Sequence, residues 1–193
     1  MNKALRAVLI LVGVIIGTFI LFYLYGTSVY SEAVVKQEGV KKEWGNVQVM
    51  YQRRADLVPQ LIATVKGARD NERAILENVT RARSGMASAQ SPAELQELGA
   101  TVNKAISIVF ENYPEIKSNE NFAQLQAELS GSENRVSKAR SDYNEAVEKS
   151  NGYIRGFWKK KALALVGDEE FKVYDAFEAS AEAQTAPKVD FSN

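Results

Sequence analysis

Cysteine and histidine are both absent from this 193-residue chain. Their absence excludes disulfides, Ser-His-Asp and Cys-His catalysis, haem ligation and nearly all zinc or copper sites. A dominant charge is missing too: 24 Lys plus Arg stand against 24 Asp plus Glu, so no basic field is available to hold nucleic acid. No run of residues alternates in the manner of a strand. The chemistry left to an enzyme is an all-carboxylate site. Carboxylates on bundle helices can hold two metal ions, but such sites use Glu-x-x-His, which this chain lacks. The expectation is a protein that is not an enzyme, with no cofactor, no metal, no nucleic acid and no small-molecule substrate.

What is present begins with nineteen uncharged residues, Ala7 to Tyr25 (AVLILVGVIIGTFILFYLY). As a helix they reach roughly 28 Å, about the hydrocarbon thickness of a bilayer. Tyr23, Tyr25 and Tyr30 stand where interfacial aromatics belong. A cleaved signal peptide also starts with basic residues, here Lys3 and Arg6, but its apolar core is shorter, about 7–15 residues, and no A-x-A-like site follows Tyr25. No polar face interrupts the run, which argues against a buried helix of a soluble domain. A membrane anchor from Ala7 to Tyr25 is therefore expected, after a short basic tail (1–6). Lys3 and Arg6 precede it and no further cation appears until Lys36. The positive-inside rule then puts the N-terminus in the cytoplasm and the remainder outside.

Residues 26–178 read as one helical domain and 179–193, polar and poor in apolar side chains, as a flexible tail. Val40, Trp44, Val47, Tyr51, Arg54, Val58, Leu61 and Val65 recur at spacings of four and three, the seam of an amphipathic helix. Gly67 reads as a helix end and Asp70 as a restart; whether two helices or one bent rod results stays open. Ile75, Leu76, Val79, Ala82 and Met86 mark a shorter helix, with Ser84-Gly85 and Ser88 to Ser91 as loop. Ser91-Pro92-Ala93-Glu94 is a capping box with proline at the first helical position. Leu95, Leu98, Val102, Ala105, Val109 and Tyr113 follow as its stripe, and Pro114 ends it. A last long helix from about Asn119 has the seam Phe122, Leu125, Leu129, Ser132, Val136, Ala139, Tyr143, Ala146, Ser150 and Tyr153. Such regularity implies near-parallel packing. The fold class expected is all-α: a transmembrane helix followed by an antiparallel four-helix bundle with long helices.

Three features stand out within that pattern. Pro59 lies inside a helical stretch, where it removes a hydrogen bond and implies a kink. Arg54 falls on an apolar stripe and needs a partner. For Arg53 and Arg54, with Asp56 beside them, candidate partners in a structural polar network are Glu111, Asn112, Glu133, Asn134 and Asp142. Finally, if the chain runs up, down, up, down, the fourth helix brings Phe157, Trp158, Lys159, Lys160 and Lys161 back towards the bilayer. An aromatic pair followed by three lysines suits a lipid headgroup layer, whereas a solvated helix end is the plainer account.

Several segments together resemble the LemA family: the apolar start, Trp44-Gly-Asn-Val47, Gln52 to Pro59 with Thr64 to Gly67, Glu111-Asn-Tyr-Pro114, Asn119-Glu-Asn-Phe122 with Leu125-Gln126, Glu133-Asn-Arg135, Asp142 to Val147, and the closing Ala186 to Phe191. The match covers nearly the whole chain. Gly67 to Glu72 departs from it by lacking the aromatic and histidine usual after that glycine. The resemblance implies a bacterial membrane-anchored helical bundle with no catalytic residues to carry over. Two functional expectations follow. One is a scaffold or adaptor of the bacterial inner (cytoplasmic) membrane, its bundle on the extracytoplasmic side, with membrane lipids and either copies of itself (a homo-oligomer) or another envelope protein as partners. The alternative is direct membrane remodelling or lipid sensing through the bundle and the Trp158–Lys161 segment.

Overall fold

The computed structural model describes residues 3–64, 70–113, 120–166 and 171–178. The chain is all-α. Among the described residues it forms α1 (Lys3–Ala63), α2 (Asp70–Ser88), α3 (Pro92–Asn112), α4 (Glu120–Arg155) and α5 (Phe157–Val166), with no strand. The apolar segment and the first amphipathic helix are one uninterrupted helix: α1 begins at Lys3, inside the expected tail, and passes Tyr25 without a break. It also runs on through Pro59 for a further turn. At its end Thr64 turns back, its hydroxyl donating to the carbonyl of Leu61 at 2.7 Å. Gly67, Pro114, Asn119 and the tail 179–193 lie outside the described residues.

The chain divides into two compact units, Met1–Asn46 with Ser141–Tyr174, and Val47–Arg140 with Asp175–Asn193. Four helical segments meet in the second unit, and their directions follow from side-chain pairs. Gln48 on α1 reaches the carbonyls of Met86 and Ala89 at the end of α2, while Asp56 on α1 pairs with Arg83, so α2 runs against α1. Tyr51 lies against Gly99, and Arg54 against Asn103, so α3 runs with α1. Phe110 packs edge-on against Phe122 at 5.6 Å and the start of α4. Up, down, up, down is thus the order within this unit. Its core includes Val47, Val58, Leu61, Met86, Leu95, Val102 and Val109, each 1 % exposed or less.

The helix of residues 70–88 contradicts the loop expected at Ser84-Gly85. The Ser84 hydroxyl folds back onto the carbonyl of Thr80, Gly85 lets Leu98 of α3 come close, and Met86 is fully buried. Tertiary packing outweighs the modest helix propensity of Ser and Gly. At the start of α3 the Ser91 hydroxyl accepts from the N–H of Glu94 at 3.2 Å. The Glu94 carboxylate accepts from the N–H of Gln90 at 2.8 Å, one residue before the cap and not from the cap itself.

In the first unit, α1 and the later part of α4 run antiparallel: Trp44 packs on Tyr143 at 5.3 Å, and the Tyr153 hydroxyl donates to Glu32 at 3.0 Å. α4 then turns at Gly156 into α5. A small core forms from Val29 and Ala33 of α1, Tyr153 and Ile154 of α4, and Ala162 and Leu163 of α5, with Tyr30 and Phe171 against it. Val147, and not the expected Ala146, is the buried residue of the α4 seam here. Among the described residues none buries residues 7–25 of α1: apart from half-buried Gly17 all are exposed, and they form the one helix stretch long and apolar enough to cross a membrane.

Candidate functional site

Arg54 carries the polar joint of the second unit. Its seam position on α1 points the guanidinium at α3 and α4, where Nε donates to Asn103 Oδ1 at 2.8 Å. Nη1 donates to the Leu129 carbonyl and the Ser132 hydroxyl, both at 2.9 Å, and Nη2 pairs with Glu133 at 2.9 Å. Only 12 % of the side chain is exposed. Burial lowers its pKa, opposed by the Glu133 charge. The planar fork bonds to α3 and α4 at once and so ties both to α1, which a lysine cannot do with the same geometry. Buried Tyr51 next to it has a raised pKa, also through burial.

Of the residues expected in this network, the structure brings together Arg54 and Glu133. Arg53, Glu111, Asn112 and Asn134 are exposed. Asp56 faces the other way and pairs with Arg83 of α2. Asp142 belongs to the first unit. Asn103 and Ser132 complete the joint; Ser132 had been legible only as a small seam residue, and Asn103 carries no signal in the helical pattern. A second polar pair went unread: Tyr113, capping α3, donates to buried Glu72 near the start of α2.

The first unit holds a second set of polar groups around Tyr153. Lys159 lies over its ring at 3.7 Å and Lys36 at 5.1 Å. Burial, followed by the hydrogen bond to Glu32 and that group's charge, pushes the Tyr153 pKa up to about 12. Glu32 in turn is lowered, chiefly by its bond from Lys36 and then by that from Tyr153. An open cleft of 470 Å³ lies beside this cluster, lined by Lys36, Glu145, Glu148, Lys149, Gly152, Tyr153 and Lys159. Its charges are largely matched: Lys149 pairs with Glu145 and Lys36 with Glu32. Among the described residues no group of three or more acidic side chains could hold a metal ion.

The segment 171–178 is not helical, and each part is fastened by side chains. The Asn151 amide donates to the Tyr174 carbonyl at 2.8 Å and accepts from the Tyr174 N–H at 3.1 Å, a two-point grip on one residue's backbone. Gln37 donates to the Lys172 carbonyl, and the Phe171 ring meets Tyr30 edge-on at 5.4 Å. In the second unit Arg140 donates to the Glu178 carbonyl at 3.0 Å and covers the ring of buried Phe177 at 4.9 Å. Phe171, Tyr174 and Phe177 recur every third residue, a spacing that by itself imitates a helix.

Trp158, Lys160 and Lys161 are exposed on α5, while Lys159 is half-buried over Tyr153.

Residues 43–191 match the model of the LemA family. The chain belongs to the LemA family. A relative, "Protein LemA" of Metamycoplasma hominis, is 23% identical over 152 residues, covering 72% of this chain and 69% of its own length. The LemA match includes Arg54, Glu133, Tyr153, Asn151 and the 171–178 segment, and it begins beyond the apolar segment.

Proposed function

We propose that this LemA-family protein is a non-enzymatic scaffold or adaptor. The apolar half of α1 anchors it in a bacterial cytoplasmic membrane, and its helices present a surface to other proteins, copies of itself included. The observation that carries the reading is the wholly unpacked apolar stretch from Ala7 to Tyr25, continuous with a helix whose remaining length is packed. A bilayer is the solvent that such a stretch requires. With Lys3 and Arg6 ahead of the stretch and no cation after it until Lys36, the proposed arrangement is a cytoplasmic N-terminus and an extracytoplasmic helical domain. Tethering confines the domain to a surface and raises its effective concentration towards neighbours, which favours weak lateral association.

The test is crosslinking of the full chain in living cells, with identification of what is captured and sizing of the purified protein in detergent. A reproducible partner or a crosslinked multimer is expected. A strictly monomeric protein that captures nothing would refute the scaffold. A second reading, in which the protein acts on lipid directly through Trp158 to Lys161, is favoured by the 66 % exposure of Trp158.

A further inference from the structure

α5 has two unlike faces. At 100° per residue, Lys159, Ala162, Leu163 and Val166 share one side. That side is docked: Ala162 and Leu163 are in the core of the first unit, Lys159 lies over Tyr153, and Val166 touches Gly26 so closely that a Cβ there would meet Val166 at 2.3 Å. The opposite side carries Phe157, Trp158 and Leu165, which are 66 %, 66 % and 71 % exposed, with Lys161 between Phe157 and Leu165, its ammonium over the Phe157 ring, and Lys160 at the edge. Three large apolar side chains on ten residues, all facing away from the core, are more than a solvated helix end requires. The solvent they face is set by what α5 is docked on. Gly26 is the first residue after the apolar segment, and packing on α1 begins there: Tyr25 is exposed, Gly26 and Val29 are buried.

We infer that α5 is an interfacial helix lying in the lipid headgroup layer, its Phe157–Trp158–Leu165 face in the acyl boundary and Lys160 and Lys161 among anionic headgroups. The headgroup layer is roughly 5–8 Å deep on each side of the hydrocarbon core. A segment that ends at Tyr25 therefore leaves Gly26, and the helix docked on it, within that layer. Apolar side chains flanked by lysines are what such a position selects. The chain then grips the membrane twice, through α1 and through α5, and the second grip fixes the rotation of α1 about its own axis. This inference rests on the anchored reading above.

Because the chain has no cysteine, single-cysteine variants can carry a nitroxide without any background. Trp158→Cys, Leu165→Cys, Ile16→Cys and Val35→Cys all replace exposed residues, so none removes a core contact. The full-length labelled protein is placed in vesicles of phosphatidylcholine and phosphatidylglycerol, and collisions with oxygen and with a water-soluble nickel chelate are compared. The expected result is lipid-like accessibility at Ile16, Trp158 and Leu165, shallower at the last two, and water-like accessibility at Val35, roughly 13 Å beyond Gly26 along α1. Nickel accessibility at 158 and 165 equal to that at 35, with Ile16 in lipid, overturns the α5 inference and leaves the anchor standing. Immobile nitroxides at 158 and 165 that meet neither quencher overturn it as well, since a protein then covers the face. Water-like accessibility at Ile16 removes the anchor and α5's role with it.

Discussion

Along residues 7–25 of α1, Ile10 is 67 % and Phe19 72 % exposed; along residues 26–63, Val29, Ala33, Val40, Val47 and Val58 are 4 % or less. One helix, unbroken at the junction, is built for two surroundings. In the first stretch apolar side chains cover the whole circumference, so no direction is singled out for packing. In the second they form a stripe with a period near 3.6, and the stripe is buried against α4, α5, α2 and α3 in turn. Hydrophobicity alone therefore does not distinguish the two halves; its distribution around the axis does. The stripe specifies a partner helix, the full circumference specifies a solvent.

The sharpest break in this comparison comes from making the same truncation in each half. Leu61→Ala, at a fully buried site of the second unit, is expected to lower unfolding free energy by about 2–5 kcal/mol. Ile16→Ala in the exposed half is expected to change it by less than about 0.5 kcal/mol. Denaturant unfolding in detergent, followed by helical circular dichroism, compares the two. Equal losses would mean that the apolar half has a packing partner within the fold.

Overpacking probes the striped half from the other side. A methyl group at Gly99 would stand 2.2 Å from Cε1 of Tyr51, a rigid ring beneath the Arg54 joint. Gly99→Ala is expected to cost about 1–3 kcal/mol, although it raises helix propensity. A thermal melt that rises for this variant would show that α3 does not approach α1 so closely.

The polar cluster of the first unit makes a pH prediction. The Tyr153 pKa is raised from 10.0 to about 12, mainly by burial and then by Glu32. A raised phenol favours the neutral form in the folded state, so its stabilising effect is complete below about pH 10 and disappears as pH climbs to 12. Tyr153→Phe should flatten this alkaline loss, and ultraviolet difference titration should show one fewer late phenolate. Glu32, lowered by Lys36 and Tyr153, works in the opposite direction: its contribution is present at neutral pH and is lost on acidification through the carboxylate range. A modest effect of opposite sign is expected at Ser150, a fully buried seam residue of α4 whose hydroxyl has no hydrogen-bond partner among the described residues. Ser150→Ala should stabilise by about 1 kcal/mol, seen as a higher melting temperature.

Periodicity makes much of this fold legible in the sequence. The seams of α1 and α3 and the α4 stripe from Phe122 to Tyr143 follow from which face must leave water, and the Ser91 cap from the unpaired N–H groups at a helix start. What the pattern does not carry is the identity of the neighbour. Ala146 and Val147 compete for the same seam, and the larger Val147 is the one that is buried. Arg54 announces itself by lying on an apolar stripe, yet Asn103 lies on an exposed face and nothing local marks it as a partner. Arg53 and Asp56 stand close to Arg54 in sequence, but helical geometry turns them about 100° and 200° away from it. The segment 171–178 leaves no local signal in the sequence, because its hold on the helices depends on Asn151, Gln37 and Arg140, three polar residues distant in the chain. Phe157 and Trp158 stand out in the sequence as an aromatic pair before three lysines, whereas Leu165, which completes their face, becomes visible only through the docking of Ala162, Leu163 and Val166.

The central claim is that the unpacked half of α1 resides in a bilayer, and its most direct measurement is alkaline carbonate extraction of membranes from cells expressing the full chain. Retention in the membrane pellet, abolished when residues 7–25 are deleted, is the predicted result. Release of the intact protein into the supernatant would contradict it.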